Sequence, residues 1–157
     1  MANKVYHLKI EEDSEEEFYI GIHTSLEAFQ LAFYINKQNS ILLKRGGKDL
    51  ENEKQLGVFS LFEWEEFFSE RKCQLISNKF IQEGPSRLLN SNSLFELPER
   101  NEVYLLTEFK QADFFIKSTN FELLKTIQIQ LNNWSMVTMT YNIALKKINS
   151  RMNIISN

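Results

Sequence analysis

Phe18-Tyr19-Ile20-Gly21-Ile22-His23-Thr24-Ser25-Leu26-Glu27-Ala28-Phe29 reads as a strand handing over to a helix. Phe18 to Ile22 has the aromatic and β-branched make-up of a half-buried strand. Thr24-Ser25-Leu26-Glu27 then fits a capping box, in which the Thr24 hydroxyl accepts from the Glu27 amide and the Glu27 carboxylate accepts from the Thr24 amide. The helix it opens carries Leu26, Phe29 and Phe33, with Ala28, Ala32 and Ile35 beside them. That spacing makes one apolar stripe wide enough to lie on a sheet. Asn39-Ser40 ends it, and Ile41-Leu42-Leu43 reads as the next strand before Gly46-Gly47 breaks the pattern.

The same grammar returns later in the chain. One constant shift sets Tyr19-Ile20 on Phe114-Phe115, Thr24 on Thr119, Leu26-Glu27 on Phe121-Glu122, and Ile41-Leu42 on Met136-Val137. A second capping box, Thr119-Asn120-Phe121-Glu122, opens a helix with Phe121, Leu124, Ile127 and Leu131 on one face. Strands at Val103 to Leu106, Phe114 to Lys117 and Trp134 to Tyr141 surround it. In the first half, Val5 to Ile10 pairs with Phe18 to Ile22 across the acidic run Glu11 to Glu17, whose carboxylates need a solvated tip. Two ββαβ half-units, 4–45 and 102–141, are therefore expected. Between them, 57–101 holds an inserted hairpin (Val58 to Trp64 with Cys73 to Phe80, joined through Ser69-Glu70-Arg71-Lys72) and a long loop. Strand-then-capped-helix units also arise without duplication, so both origins stay open. The stretch from Ile81 to Glu102 is the least patterned, with room for a short helix around Ser86 to Leu89.

These elements predict a single α+β domain over 1–157, with a mainly antiparallel sheet and two helices on one face. The bulk numbers agree. At 157 residues, 43% hydrophobic and 25% charged, the chain is of ordinary single-domain size and composition. Thirteen phenylalanines are many for this length and imply a Phe-rich core. One cysteine, Cys73, precludes an intramolecular disulfide and fits a reducing cytoplasmic setting. MANKVYHLKI has no apolar run of signal-peptide length, and no window approaches the ~20 apolar residues of a membrane span. The net charge of −3 argues against nucleic acid as the partner.

Signatures of chemistry are weak throughout. His7 and His23 fall at neighbouring strand ends, with no HxH or HExxH spacing and too few cysteines for a dedicated zinc site. No G-x-S-x-G elbow is present, and Cys73 begins a strand, where a buried and inert thiol is expected. Lys44-Arg45-Gly46-Gly47-Lys48 has glycine and positive charge but lacks P-loop spacing; a glycine turn with solvated charges accounts for it. Glu63, Glu65 and Glu66 flank Trp64, while Glu108 and Asp113 bracket a turn; sequence does not fix either set across a cleft. Phe59, Phe62 and Trp64 resemble a stacking platform for RNA, but surrounding glutamates repel phosphate.

Leu106-Thr107-Glu108-Phe109-Lys110-Gln111-Ala112-Asp113-Phe114 resembles the signature of the IPExxxVDY family of small bacterial proteins. Glu108 and Asp113 match outright. Leu106, Ala112 and Phe114 are conservative replacements, and Thr107 stands where the family has proline, which loosens the turn. Ile20-Gly21-Ile22, Leu31 to Lys37 and Leu75-Ile76-Ser77-Asn78-Lys79 extend the likeness over most of the chain. The resemblance implies a single cytoplasmic domain and no particular activity. Its motif residues have a structural account, acidic side chains fixing a turn through backbone amides, and a functional one, a partner-facing or cation-binding pair.

No catalytic, cofactor-binding or metal-ligating residues, and no cofactor, are therefore expected. The function expected is a non-catalytic binding or adaptor module, meeting a protein partner through a sheet edge, the long loop or the acidic hairpin. Two alternatives stay open: a small-ligand regulatory domain with a pocket between the half-units, and an enzyme that pairs a carboxylate with a histidine. Oligomeric state is open.

Overall fold

The computed structural model describes residues 15–52, 57–84 and 100–148. In chain order the elements are β1 (Phe18–Thr24), α1 (Ala28–Gln38), β2 (Lys44–Arg45), β3 (Leu50–Asn52), β4 (Gly57–Phe59), β5 (Leu61–Glu66), β6 (Arg71–Ser77), β7 (Lys79–Glu83), β8 (Arg100–Tyr104), β9 (Phe114–Ser118), α2 (Phe121–Asn132) and β10 (Val137–Ile143). Short 3-10 turns lie at Thr107–Phe109 and Leu145–Lys147. Six strands form one sheet in the order β10-β1-β9-β6-β5-β2, and every pairing in it is antiparallel.

Alternation along the strands makes two apolar faces, because successive side chains leave a strand on opposite sides. Ile20, Ile22, Cys73, Leu75, Phe114 and Ile116 face both helices and bury against Leu31, Ala32 and Ile35 of α1 and Leu124, Ile127 and Leu131 of α2. The opposite face presents Tyr19, Ile76, Phe115 and Ile143. Leu50, Phe59, Leu105, Leu106 and Ala112 cover it, carried by the β3–β4 pair and the segment that follows β8. The fold is thus an α+β domain with both helices on one face of a mainly antiparallel sheet.

The half-units take different paths through it. β9 and β10 both run antiparallel to β1, so the β9-α2-β10 unit brackets a single strand, whereas β1-α1-β2 crosses β9, β6 and β5. β8, expected as a sheet neighbour of β9, instead pairs with β7 in a separate two-stranded ladder. The strand expected at Val5 to Ile10, the acidic tip before residue 15, the helix around Ser86 to Leu89 and the pairing of 4–14 lie outside the described residues.

Several boundaries move, each for a physical reason. α1 starts at Ala28 rather than just after Thr24, because Thr24 still pairs with Val137 and its hydroxyl donates to the Met136 carbonyl at 2.7 Å. The capping box slides to Glu27 and Gln30, with the Glu27 amide donating to Gln30 Oε1 at 2.9 Å. α2 is capped by Asn120, whose Oδ1 takes the Leu123 amide, while Thr119 ties the end of β9 to Lys72. Ile41 to Leu43 is not a strand: Asn36 holds Leu43 by its amide and carbonyl, and the two-residue β2 follows. The runs Val58 to Trp64 and Cys73 to Phe80 both break, at Ser60 and Asn78, where the chain leaves one ladder for another. The expected hairpin survives as β5–β6, with Leu61 opposite Ile76 and Glu66 opposite Arg71. Trp134 and Met136 lie in the turn before β10.

Candidate functional site

The apolar stripe expected along α1 is rotated from its predicted phase. Leu31, Ala32 and Ile35 are buried, whereas Phe29 and Phe33 are 62% and 68% exposed. Setting the helix start three residues later leaves the direction of each side chain to the packing, and the sheet takes the branched and small residues. The phenylalanines are left on the outer flank. The Phe-rich core is corrected accordingly: Phe59, Phe114 and Phe115 are buried, but Phe29, Phe33, Phe67, Phe68 and Phe121 are exposed.

Phe29 and Phe33 line a groove of about 650 Å³ together with Leu26, Gln30, Tyr34, Lys37, Trp134 and Met136. Its floor is fixed. The Tyr34 and Trp134 rings stack with centroids 3.9 Å apart and planes 10° from parallel. The Asn39 and Gln130 side-chain amides pair reciprocally at 2.7 and 3.2 Å, joining the end of α1 to α2. Thr24 holds the Met136 carbonyl against the end of β1. Such a groove is apolar, preformed and bounded by two elements, as binding sites commonly are. Lys37 is its charged lining residue, and among the described residues it has no ion-pair partner. Phe29 and Phe33 were legible as apolar helix residues; the signal overlooked is that α1 carries more apolar width than one contact with a sheet absorbs.

The expected motif residues Leu106, Glu108, Ala112, Asp113 and Phe114 gather at a different place. Leu106, Ala112 and Phe114 are buried. Asn78 organises the turn between them: its Nδ2 donates to the carbonyls of Phe109 (3.0 Å) and Ala112 (2.9 Å), and its Oδ1 accepts from the Leu106 amide (2.7 Å). Asp113 Oδ2 accepts from the Thr24 amide at 3.0 Å and lies 2.7 Å from His23 Nδ1, while the Asp113 amide donates to the Ile22 carbonyl. Asp113 therefore holds the end of β1, while the turn between Leu106 and Ala112 is held by Asn78. Glu108 sits half-buried in the 3-10 turn with Thr107 Oγ1 donating to its carboxylate at 3.2 Å.

His23 thus finds a carboxylate, but neither residue lines the groove, and the histidine side chain is half-exposed. The Thr24 hydroxyl, next to it in the chain, donates to the Met136 carbonyl, and Cys73 is buried, which pushes its thiol up to about 12. His7 lies outside the described residues. Among the described residues no three His, Cys, Asp or Glu side chains group closely enough to hold a metal ion.

The remaining candidates are engaged elsewhere. Arg45 pairs with Asp49 at 2.6 Å and lies over Phe62, and a side chain at Gly46 would meet the Glu63 carboxylate at 3.2 Å. Glu63 accepts from Gln74, Glu65 lies 3.6 Å from Lys72, and Glu66 takes Ser69 and Arg71, whose hydrogen bonds hold its carboxyl below the ordinary range. Arg71 also lies over Trp64, Arg45 over Phe62, and Phe59 is buried, so these three aromatics do not form an open stacking platform. No helix among the described residues is long and apolar enough to cross a membrane.

No protein-family model matches the chain, and no curated protein or solved structure matches it significantly.

Proposed function

We propose that this chain is a non-catalytic binding module that docks an apolar segment of a protein partner in the groove between α1 and the turn at 134–136. What supports it is the second apolar face of α1. Phe29 and Phe33 are large, rigid and exposed, and the core closes without them. Aromatic and methionine side chains above a preformed floor are the make-up of a recognition hot spot, since they bury much area at small cost in side-chain freedom. The setting proposed is cytoplasmic, in keeping with the single reduced cysteine. We also read 106–114 as a divergent IPExxxVDY signature, supported by the buried places of Leu106, Ala112 and Phe114 and the capping role of Asp113.

A photo-crosslinking amino acid such as benzoylphenylalanine in place of Phe33 tests the docking in cells. The expected result is a discrete adduct that is absent with the same group at exposed Lys48 and lost on Met136→Asp. Identical patterns at both positions would remove the support.

A second reading has one observation in its favour. The groove joins residues of 4–45 to residues of 102–141, where a small-ligand pocket was expected, and about 650 Å³ falls within the usual range for such ligands. A thermal-shift screen with apolar metabolites checks it, because a ligand that binds only the folded state raises the melting temperature.

A further inference from the structure

We propose that the occupant of the groove is a second copy of this chain, inserted through the β5–β6 hairpin tip. This rests on the docking role given to the groove above and names its partner.

The tip is Phe67-Phe68-Ser69-Glu70, and it is unlike the other turns. Phe67 and Phe68 are 87% and 95% exposed, with their rings edge to face at 5.5 Å and 90°. The hairpin beneath them is well anchored: Arg71 Nε donates to Glu66 at 2.8 Å across its base, and the neighbouring strand β9 reaches up through Thr119, which accepts the Lys72 amide and donates to the Glu70 carbonyl. Two aromatic rings on a braced stalk form a pre-organised knob. Phenylalanine buries roughly 150–250 Å² when enclosed, so leaving two of them in water is a cost that folding within one copy does not recover.

The charges match across the two features. Of the carboxylates near the knob, Glu66 is paired with Arg71 and Glu65 lies 3.6 Å from Lys72, whereas Glu70 has no ion-pair partner among the described residues. The groove has no acidic lining residue and carries the unpaired Lys37. An aromatic knob with a spare carboxylate thus meets an aromatic groove with a spare ammonium.

Within one copy the two do not meet. Both rings are open to water and neither lines the groove. The tip lies at the Ser118 end of β9, whereas Leu26 and Met136 sit beyond the opposite end of β1, next to Thr24. Docking is therefore between copies and joins two different patches, so it closes as a reciprocal pair or extends head to tail. Two rings per contact make an interface of the small class, under about 1,200 Å², for which weak and reversible association is expected.

Sedimentation of the full chain over a concentration series reads this directly, with circular dichroism confirming that each variant is folded. The parent is expected to gain average mass with concentration, and Phe67→Ser/Phe68→Ser to stay monomeric. Lys37→Glu and Glu70→Lys should each weaken association by about tenfold or more, and the double exchange in one chain should regain most of the loss, since it restores opposite charges between copies. A parent that remains monomeric throughout, association that survives loss of both rings, or a double exchange no better than the singles overturns the proposal. Fluorescence of anilinonaphthalenesulfonate separates the two levels. If the parent is monomeric yet binds the dye, and Phe33→Ser releases it, self-docking falls and the groove's role stands; if the dye does not bind, both fall.

Discussion

Asn78 connects β6 to β7 with every one of its N–H donors and both of its carbonyl oxygens engaged. Besides the three side-chain bonds to Leu106, Phe109 and Ala112, its amide donates to the Asp113 carbonyl and its carbonyl accepts from Leu105. Asn78→Ala would orphan three backbone groups at once, two of them in bonds to the buried Leu106 and Ala112. With roughly 1–3 kcal/mol for each buried group left unsatisfied, a loss of about 3 kcal/mol or more is expected, and urea denaturation measures it. Tyr141 is the opposite case. Its hydroxyl is buried and has no partner among the described residues, and its ring lies where a side chain on Gly21 would go, 2.6 Å from the ring carbon that bears the hydroxyl. Burial first, and then the charge of Asp113, hold its ionisation above the ordinary value. The folded state therefore keeps a proton that the unfolded state sheds, so stability falls as pH rises above about 10. Tyr141→Phe should be neutral or stabilising by up to about 1 kcal/mol at pH 7 and should flatten the alkaline fall; a stability curve against pH for the pair checks both. Cys73 should resist thiol reagents until the chain is unfolded, as its burial and raised ionisation require.

At the scale of elements, β1, β9, the β5–β6 hairpin and both helices were legible because each rests on local pattern. Phase and boundary were not, because they are set by contacts distant in sequence. Thr24 looks like a helix cap, but its oxygen accepts the nearby Leu26 amide rather than that of Glu27 while its hydrogen goes to the Met136 carbonyl, and nothing within the first forty residues announces the second bond. Ser60 and Asn78 interrupt runs that read as continuous strands, since the switch between ladders depends on Ser77, Leu105 and Asp113. Asp113 read as a residue that fixes its own turn, yet its carboxylate goes to Thr24 of β1, a bond that local pattern does not announce. The groove was missed for the same reason as the phase of α1: an apolar position on a helix does not say which apolar position the sheet will choose. The hairpin tip offers a prediction at this scale. Glu70 adopts φ 53°, the left-handed region in which a side chain costs roughly 1–2 kcal/mol. Glu70→Gly should stabilise the domain by about 1 kcal/mol, read as a raised denaturation midpoint, while removing a carboxylate from the proposed contact.

For the whole molecule, the proposed function divides α1 in two: one face buries Leu31, Ala32 and Ile35 in the core, and the other, with Phe29 and Phe33 exposed, is the face proposed to bind. Ile35→Ala should cost about 2–5 kcal/mol, as truncation of a buried aliphatic does. The outer face should behave differently, and serine is a fair probe there because it matches phenylalanine in helix propensity. The most direct measurement is the equilibrium unfolding free energy of Phe29→Ser/Phe33→Ser beside the parent. The two are expected to agree within about 1 kcal/mol, the scale of a surface substitution. A loss of several kcal/mol, on the scale of Ile35→Ala, would make these phenylalanines part of the core and contradict that division of α1.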